Sequence, residues 1–421
     1  MKNSILFAVV LLLSMRAQTQ SLEKDFPKSI AVKVSNPLDA TRDDVMVFVS
    51  IDQLKKIDKD FNSSAFIVQD GKKEIPSQVN KNDKDYPGIV FVLDKLEAKE
   101  SLELVVRYSA TGSNKRIYPK RTQAELSHKT GGEWKNREYI GGNFKNVDYL
   151  RVPPEHKDHS WFIRYEGPGW ESDKVGYRFY LDQRNATDVF GKLTTEMVLQ
   201  NVGLDGFDSY HNIQLWGMDV MKIGKSLGIG SIGSMVNGSV IRVELTDSVN
   251  CRVVENGNVF SSILTNYYGW RIGDKKHDLQ SRLIIHAGTR ITQQLLTLSN
   301  DPENIATGIV KDKAAPLLTS KGDDKQFGFI ATYGKQSLNT DGLGLAVLYN
   351  PKDVIELTED ENSHIVKLKP NHGKITYYFL SAWEKEPGGI KDEKQFRDYL
   401  TKVSRELANP VKVEVLINKK K

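Results

Sequence analysis

Short runs of alternating apolar and polar residues, each cut off by a turn signal, recur along almost the whole sequence and leave little room for anything but an all-β fold. Between Ser29 and Ser109 they read IAVKVSNP, DVMVFVSI, SAFIVQDGKKEIPSQV, GIVFVLD and SLELVVRYS, punctuated at Asn36-Pro37, Asp70-Gly71 and Pro87-Gly88. Successive strand side chains point to opposite faces, so a period of two gives each run one face to bury. Residues 21–110 are therefore expected to form a small N-terminal β-sandwich, an accessory domain. Residues 111–150, rich in Lys, Arg, Gly and Asn and weakly periodic, read as a connector. From 151 to 421 the strand signals resume in VIRVELTD, HDLQSRLIIHAG, TRITQQLLTLS, GLGLAVLYN and KITYYFLSAW. Long antiparallel strands over this length predict one large β-sandwich. A single helix is expected near the end in IKDEKQFRDYLTKVSREL, where Phe396, Tyr399, Leu400, Val403 and Leu407 share a face and Pro410 forms the stop.

The N-terminus carries Lys2, an apolar run from Ile5 to Leu13 and small residues after it. That order is a secretory signal over residues 1–20, with a run too short for a membrane span, and it points to the periplasm. Cys251 is the sole cysteine, so no internal disulfide can form and stability must come from a large core. With 59 Lys and Arg against 54 Asp and Glu, the net charge is +5 and the signs are interspersed. No basic stripe marks a nucleic-acid partner, while the slight excess suits small acidic ligands. The oligomeric state is left open.

Chemistry-bearing residues crowd between Trp161 and Gly233. In VGYRFYLDQR, alternation places Val175, Tyr177, Phe179 and Leu181 on one face and Lys174, Gly176, Arg178, Tyr180, Asp182 and Arg184 on the other. The first set would fill a core. The second is either a solvated strand face or one wall of a polar cleft. The turn EGPGWE before it fixes a shaped loop whose Trp170 can stack on a sugar ring or cap the core. Further on, DGFDSYHNIQLWGMD places Tyr210, His211, Trp216 and Asp219 together. His211 is the candidate general base, because histidine titrates near neutral pH. In a regular strand Tyr210 and His211 would face opposite ways. Arg282, on the strand HDLQSRLIIHAG, is expected to reach the same cavity as Arg178.

Gly224, Gly228, Gly230 and Gly233 lack both the phosphate-loop pattern and its strand-loop-helix setting, and no G-x-S-x-G or H-E-x-x-H motif occurs. His156-Lys157-Asp158-His159 has the residue types of a metal site but not the usual spacing. No cofactor and no metal are expected.

The strings YEGPGWESDKVGYRFYLDQRNATDVFGK, LWGMDVMKIGKSLGIGSIG, VENGNVF with NYYGW, and TYYFLSAW resemble a family carried as a domain of unknown function in polysaccharide-utilisation gene clusters of Gram-negative bacteria, and within it the marine ulvan oligosaccharide dehydratases. The resemblance implies a galactose-mutarotase-like β-supersandwich. It also implies a hydro-lyase that removes water from a saturated glucuronic or iduronic acid at the non-reducing end of an anionic oligosaccharide, leaving a 4,5-unsaturated uronate. Such an elimination needs a base at C5, an acid at O4 and a cation on the carboxylate. From residue chemistry, His211 is assigned as base and Tyr210 or Tyr180 as acid. Arg164, Lys174, Arg178, Arg184 and Arg282 are assigned to anionic groups, and Trp170 and Trp216 to ring faces. The alternatives are a polysaccharide lyase or glycoside hydrolase using Glu166, Glu171, Asp173 or Asp182, or a non-catalytic carbohydrate-binding protein.

Overall fold

The computed structural model describes residues 22–417, so the expected signal segment lies outside the described residues. The chain divides into two compact units, one built from the residues up to Pro119 together with those from Pro410 on, the other spanning Lys120–Asn409. Both are antiparallel β-structures, and the all-β expectation holds. No described helix is long and apolar enough to cross a membrane.

Among its described residues the first unit contains a five-stranded sheet, in the order Lys412–Leu416, Lys28–Ser35, Ser101–Tyr108, Phe66–Asp70 and Lys73–Ile75, and a three-stranded sheet of Arg42–Ser50, Gly88–Leu96 and Ser77–Val79. The alternation is literal: Ile30, Val32 and Val34 are buried with Val45, Val47, Val49, Phe91, Leu104 and Val106 in one cluster. The last strand departs from the expected boundary, because the chain leaves the second unit after Asn409. It pairs along Lys28–Ser35 from Ala31 with Leu416 to Ser35 with Lys412. Val413 and Val415 give this strand an apolar face that packs on the first unit's core.

The stretch expected to be a connector is also structured. Ser127–Lys135 and Glu138–Asn146 form a two-stranded hairpin, flanked by the strands Thr122–Glu125 and Tyr149–Arg151. Its strands are largely exposed, so no apolar alternation announces them. A Cβ at Gly132 would sit 2.3 Å from the Ile140 carbonyl oxygen, which is why the hairpin carries glycine there.

The second unit stacks its sheets around the main core. Its nine-stranded sheet runs from Tyr149–Arg151 through Ser248–Asn256, Phe260–Ile272, Lys275–His286, Ile291–Leu298, Lys374–Trp383, Leu343–Tyr349 and Gly328–Gly334 to Leu317–Ser320. One five-stranded sheet holds Gly217–Asp219, Thr187–Lys192, Val175–Phe179, Gly169–Ser172 and Thr122–Glu125; another is centred on Ile305–Val310. Buried hydrogen bonds tie the layers together: Trp170 Nε1 donates to Thr292 Oγ1 at 2.8 Å, and the Tyr177 hydroxyl donates to the Arg290 carbonyl at 2.6 Å. The result is a β-supersandwich, as expected.

The helix Glu393–Ala408 lies where its periodicity places it, with Phe396, Leu400 and Val403 buried and Tyr399 and Leu407 packed beside them. Asp392 caps it by accepting from the Gln395 N–H at 2.7 Å. Asp392→Ala should cost about 1 kcal/mol of stability by urea denaturation, the usual value of an N-cap.

Candidate functional site

The strand Val175–Phe179 turns Val175, Tyr177 and Phe179 into the core, leaving Arg178 on the opposite face. Register sets Arg178 directly across from Asp188, and the next strand ends at Asp219, opposite Phe190. The guanidinium is 1% exposed and fully engaged. Nη2 donates to Asp219 Oδ2 at 2.6 Å, to Asp188 Oδ2 at 2.7 Å and to the Tyr180 hydroxyl at 3.2 Å. Nη1 donates to the Tyr210 hydroxyl at 3.0 Å and to the Tyr165 carbonyl at 3.3 Å. Burying this charge is tolerable only because paired carboxylates and hydrogen bonds replace water around it. Burial, reinforced by the nearby Asp219 charge, pushes the Asp188 carboxyl above its ordinary range.

Tyr180 joins this centre to a second one. Its ring lies against two cations, with the Arg184 guanidinium carbon 3.8 Å from the ring centroid and that of Arg178 at 4.9 Å. Arg184 donates to Asp182 Oδ2 at 2.5 Å and to Glu166 Oε1 at 2.6 Å, and lies 2.7 Å from Asp158 Oδ1. Burial alone would raise the Glu166 carboxyl; the Arg178 and Arg184 charges outweigh it and hold the group below its ordinary value. Strained backbone surrounds these groups, with positive φ at His159, Trp161, Tyr165, Glu166 and Asn185.

A loop from Gly203 to Gly217 covers the outer face of the sheet, packing Phe207 and Tyr210 with Tyr165, Phe190 and Leu199. Gly217 ends it at φ 136°, where a Cβ would lie 1.8 Å from the Gly191 carbonyl oxygen. Residues 208–211 form a turn rather than a strand, so Tyr210 and His211 do not diverge. The Tyr210 hydroxyl meets Arg178, while His211 Nε2 lies 3.5 Å from Asp219 Oδ2. The His211 side chain is 44% exposed, and interaction with Asp219 raises its pKa against the smaller effect of burial.

The structure brings His211, Tyr210, Tyr180, Arg178 and Arg184 together, but in different roles from those expected. Arg178 cannot contact a substrate, since its donors are consumed by protein groups. Tyr180 donates to Asp188 Oδ2 at 3.0 Å, so its proton is committed. Trp170 is core, stacked on Tyr177 at 5.6 Å, and cannot meet a sugar. Arg164 is buried against Glu125 and donates to the Gln200 carbonyl at 2.8 Å. Lys174 occupies the turn before Val175, within electrostatic reach of Glu386. Arg282 alternates with Ser281 and core-facing Leu283, which turns it to the far face of the nine-stranded sheet. Trp216 is half-buried edge-on to Phe190 at 5.9 Å. Among the alternative carboxylates, Glu171 pairs with buried Lys192 at 2.6 Å and Asp173 with Arg121 at 2.7 Å; Glu166 and Asp182 belong to the site.

The residues from His156 to His159 split. Buried His156 is held by Ser160 Oγ at 2.8 Å, whereas Asp158 and His159 turn toward Glu166 with donor atoms within 4.8 Å of one another. That trio has the donor types for a cation, but the Arg184 guanidinium already bonds two of its carboxylates. Burial depresses the His156 pKa below 6.5. Below that pH the unfolded chain binds a proton that the folded one does not, so stability should fall with pH until the folded value is passed. Urea midpoints measured between about pH 7 and 5 should decline less in His156→Asn than in the parent protein.

Asp188, which sequence reasoning missed as part of the site, left one signal: a lone carboxylate in the otherwise uncharged run NATDVFG. A search of curated proteins finds no match. Two solved structures from Enterococcus faecalis resemble the chain in shape. One is a protein in glycosyl hydrolase family 38, at 10% identity and TM-score 0.42, covering 92% of this chain and 47% of that one. The other is an alpha-mannosidase, at 11% identity and TM-score 0.44, covering 95% and 48%. The chain thus spans about half the length of each. A family model matches residues 34–413, nearly the whole sequence, and the chain belongs to the family described as Domain of unknown function (DUF4861).

Proposed function

We propose that the protein is a carbohydrate-active hydro-lyase that removes water from a saturated uronic acid at the non-reducing end of an anionic, ulvan-type oligosaccharide, after export to the periplasm. The observation that carries this reading is a half-exposed imidazole tethered to a buried carboxylate beside a phenol that a guanidinium holds. With Nε2 toward Asp219, His211 has Nδ1, which no hydrogen bond occupies among the described residues, to take the C5 proton. The Tyr210 hydroxyl accepts from Arg178, and among the described residues no acceptor takes its own hydrogen. That hydrogen goes to the departing 4-hydroxyl, so C5–H and C4–O break, a C4–C5 double bond forms and water leaves. Tyr210 is buried, and access to it requires the Gly203–Gly217 loop to yield. Arg184 answers the substrate carboxylate by exchanging its contact with half-buried Asp158, stabilising charge that develops as the proton leaves.

The test is incubation with uronic-acid-terminated oligosaccharides, following the ultraviolet absorbance of the conjugated double bond together with product mass. Loss of one water without chain shortening is expected. Shortened products would make the protein a lyase or hydrolase, and unchanged sugar with measurable binding would make it a binding module.

A further inference from the structure

Beside the Asp182–Arg184 pair lies a cleft of about 270 Å³ that the proposed mechanism does not use. Its walls are the segment 151–154, the turn 181–185 and the segment 243–249, and buried His156 reaches its lining. A volume just under the range of about 300–1,000 Å³ typical of ligand sites suits one sugar ring rather than a chain. The lining mixes apolar Val152, Pro153, Leu181 and Val249 with hydrogen-bonding Gln183, Thr246 and Ser248.

Two observations say what the cleft would take. Gln183 Oε1 is buried and has no hydrogen-bond partner among the described residues, an acceptor suited to a ligand hydroxyl. The charges are also unbalanced. Asp182 is consumed by Arg184, and Asp247 by Lys276 at 2.7 Å. Arg151 and Lys157, both exposed, make no salt bridge among the described residues, and the remaining acid of the lining, Glu244, lies in the field of Arg242.

We infer that this cleft is a second subsite, which holds an anionic sugar unit with its ring hydroxyls on Gln183 and its negative group toward Arg151 and Lys157. The inference rests on the function proposed above, since it assigns the cleft to a neighbouring unit of the same oligosaccharide. Asp182 lines the cleft and also bonds Arg184, so a ring bound here would lie against the ion pair of the candidate site.

Calorimetric titration with glucuronate and with glucose, on the parent protein and on the Arg151→Ala/Lys157→Ala double variant, tests this, with crystals soaked in glucuronate locating the ring. Glucuronate should bind more tightly than glucose, and the double variant should lose about tenfold or more in glucuronate affinity while glucose affinity stays level, as expected for lost charge-assisted hydrogen bonds. Gln183→Ala should weaken both sugars. Equal glucuronate affinity in parent and double variant, or a soaked ring found only beside His211, would overturn the subsite. Dehydration that proceeds with the cleft empty would sink this inference and spare the function; a ring in the cleft with no water lost from any oligosaccharide would do the reverse.

Discussion

Replacing Arg178 with methionine is expected to lower the unfolding free energy by about 3–5 kcal/mol, the cost of breaking a buried charge cluster by removing one partner. Methionine keeps much of the length but leaves Asp188 and Asp219 without the guanidinium that bridges them. Both carboxylates are about 1% exposed, so water cannot replace the guanidinium. Urea denaturation followed by tryptophan fluorescence measures the loss. Arg178→Lys should recover little of it, because one ammonium cannot reproduce the fork that reaches Asp188, Asp219, Tyr180 and Tyr210 together. Adding Asp188→Asn to Arg178→Met should recover part of the loss by removing one stranded charge. A loss below about 1 kcal/mol, the size of an ordinary surface change, would show that the cluster does not hold the sheet and its covering loop together.

Replacing His211 with alanine should act on turnover and spare the fold. Loss of a general base slows a reaction by about 10²- to 10⁴-fold, while a half-exposed side chain outside the core should move stability by only about 0.5 kcal/mol. The rate of double-bond formation reads the first effect and denaturation the second. The pH profile adds an independent reading. Interaction with Asp219 raises the His211 pKa, so its basic form appears above the ordinary 6.5 and the acidic limb of activity should have its midpoint there. Asp219→Asn removes the leading cause, and the limb should move toward lower pH. Unchanged turnover in His211→Ala would refute the assignment of the base.

The strands were legible because one physical constraint writes them: a face that must be buried repeats every second residue. Ile30, Val32 and Val34 obey it, as do Val175, Tyr177 and Phe179. The hairpin at 127–146 escaped because it is largely exposed and its inner face is marked only by the partly buried pair Trp134 and Tyr139, too short an apolar pattern to stand out among the glycines and charges of GGEWKNREYIGG. The site was half legible. The two-residue period set Arg178 and Tyr180 apart from the core set, and the turn chemistry around His211 marked a titratable group. Alternation cannot say whether a polar face meets water or a second layer, and here the loop from Gly203 to Gly217 covers it. Arg178 therefore became an interior organiser, and a different guanidinium, Arg184, kept contact with solvent. Arg282 misled for a related reason: strand period reveals two faces but not which of them a distant sheet turns inward.

The pairing of Lys412–Leu416 with Lys28–Ser35 joins segments almost four hundred residues apart. During synthesis from the N-terminus, that edge of Lys28–Ser35 must therefore stay open until Lys412–Leu416 emerges. Through that interval the backbone donors and acceptors of Lys28–Ser35 offer a template to any extended chain nearby, including another nascent copy. Once Lys412–Leu416 docks it covers that face of Lys28–Ser35 and becomes the sheet's edge in its place, so a non-local contact decides which strand presents the open edge.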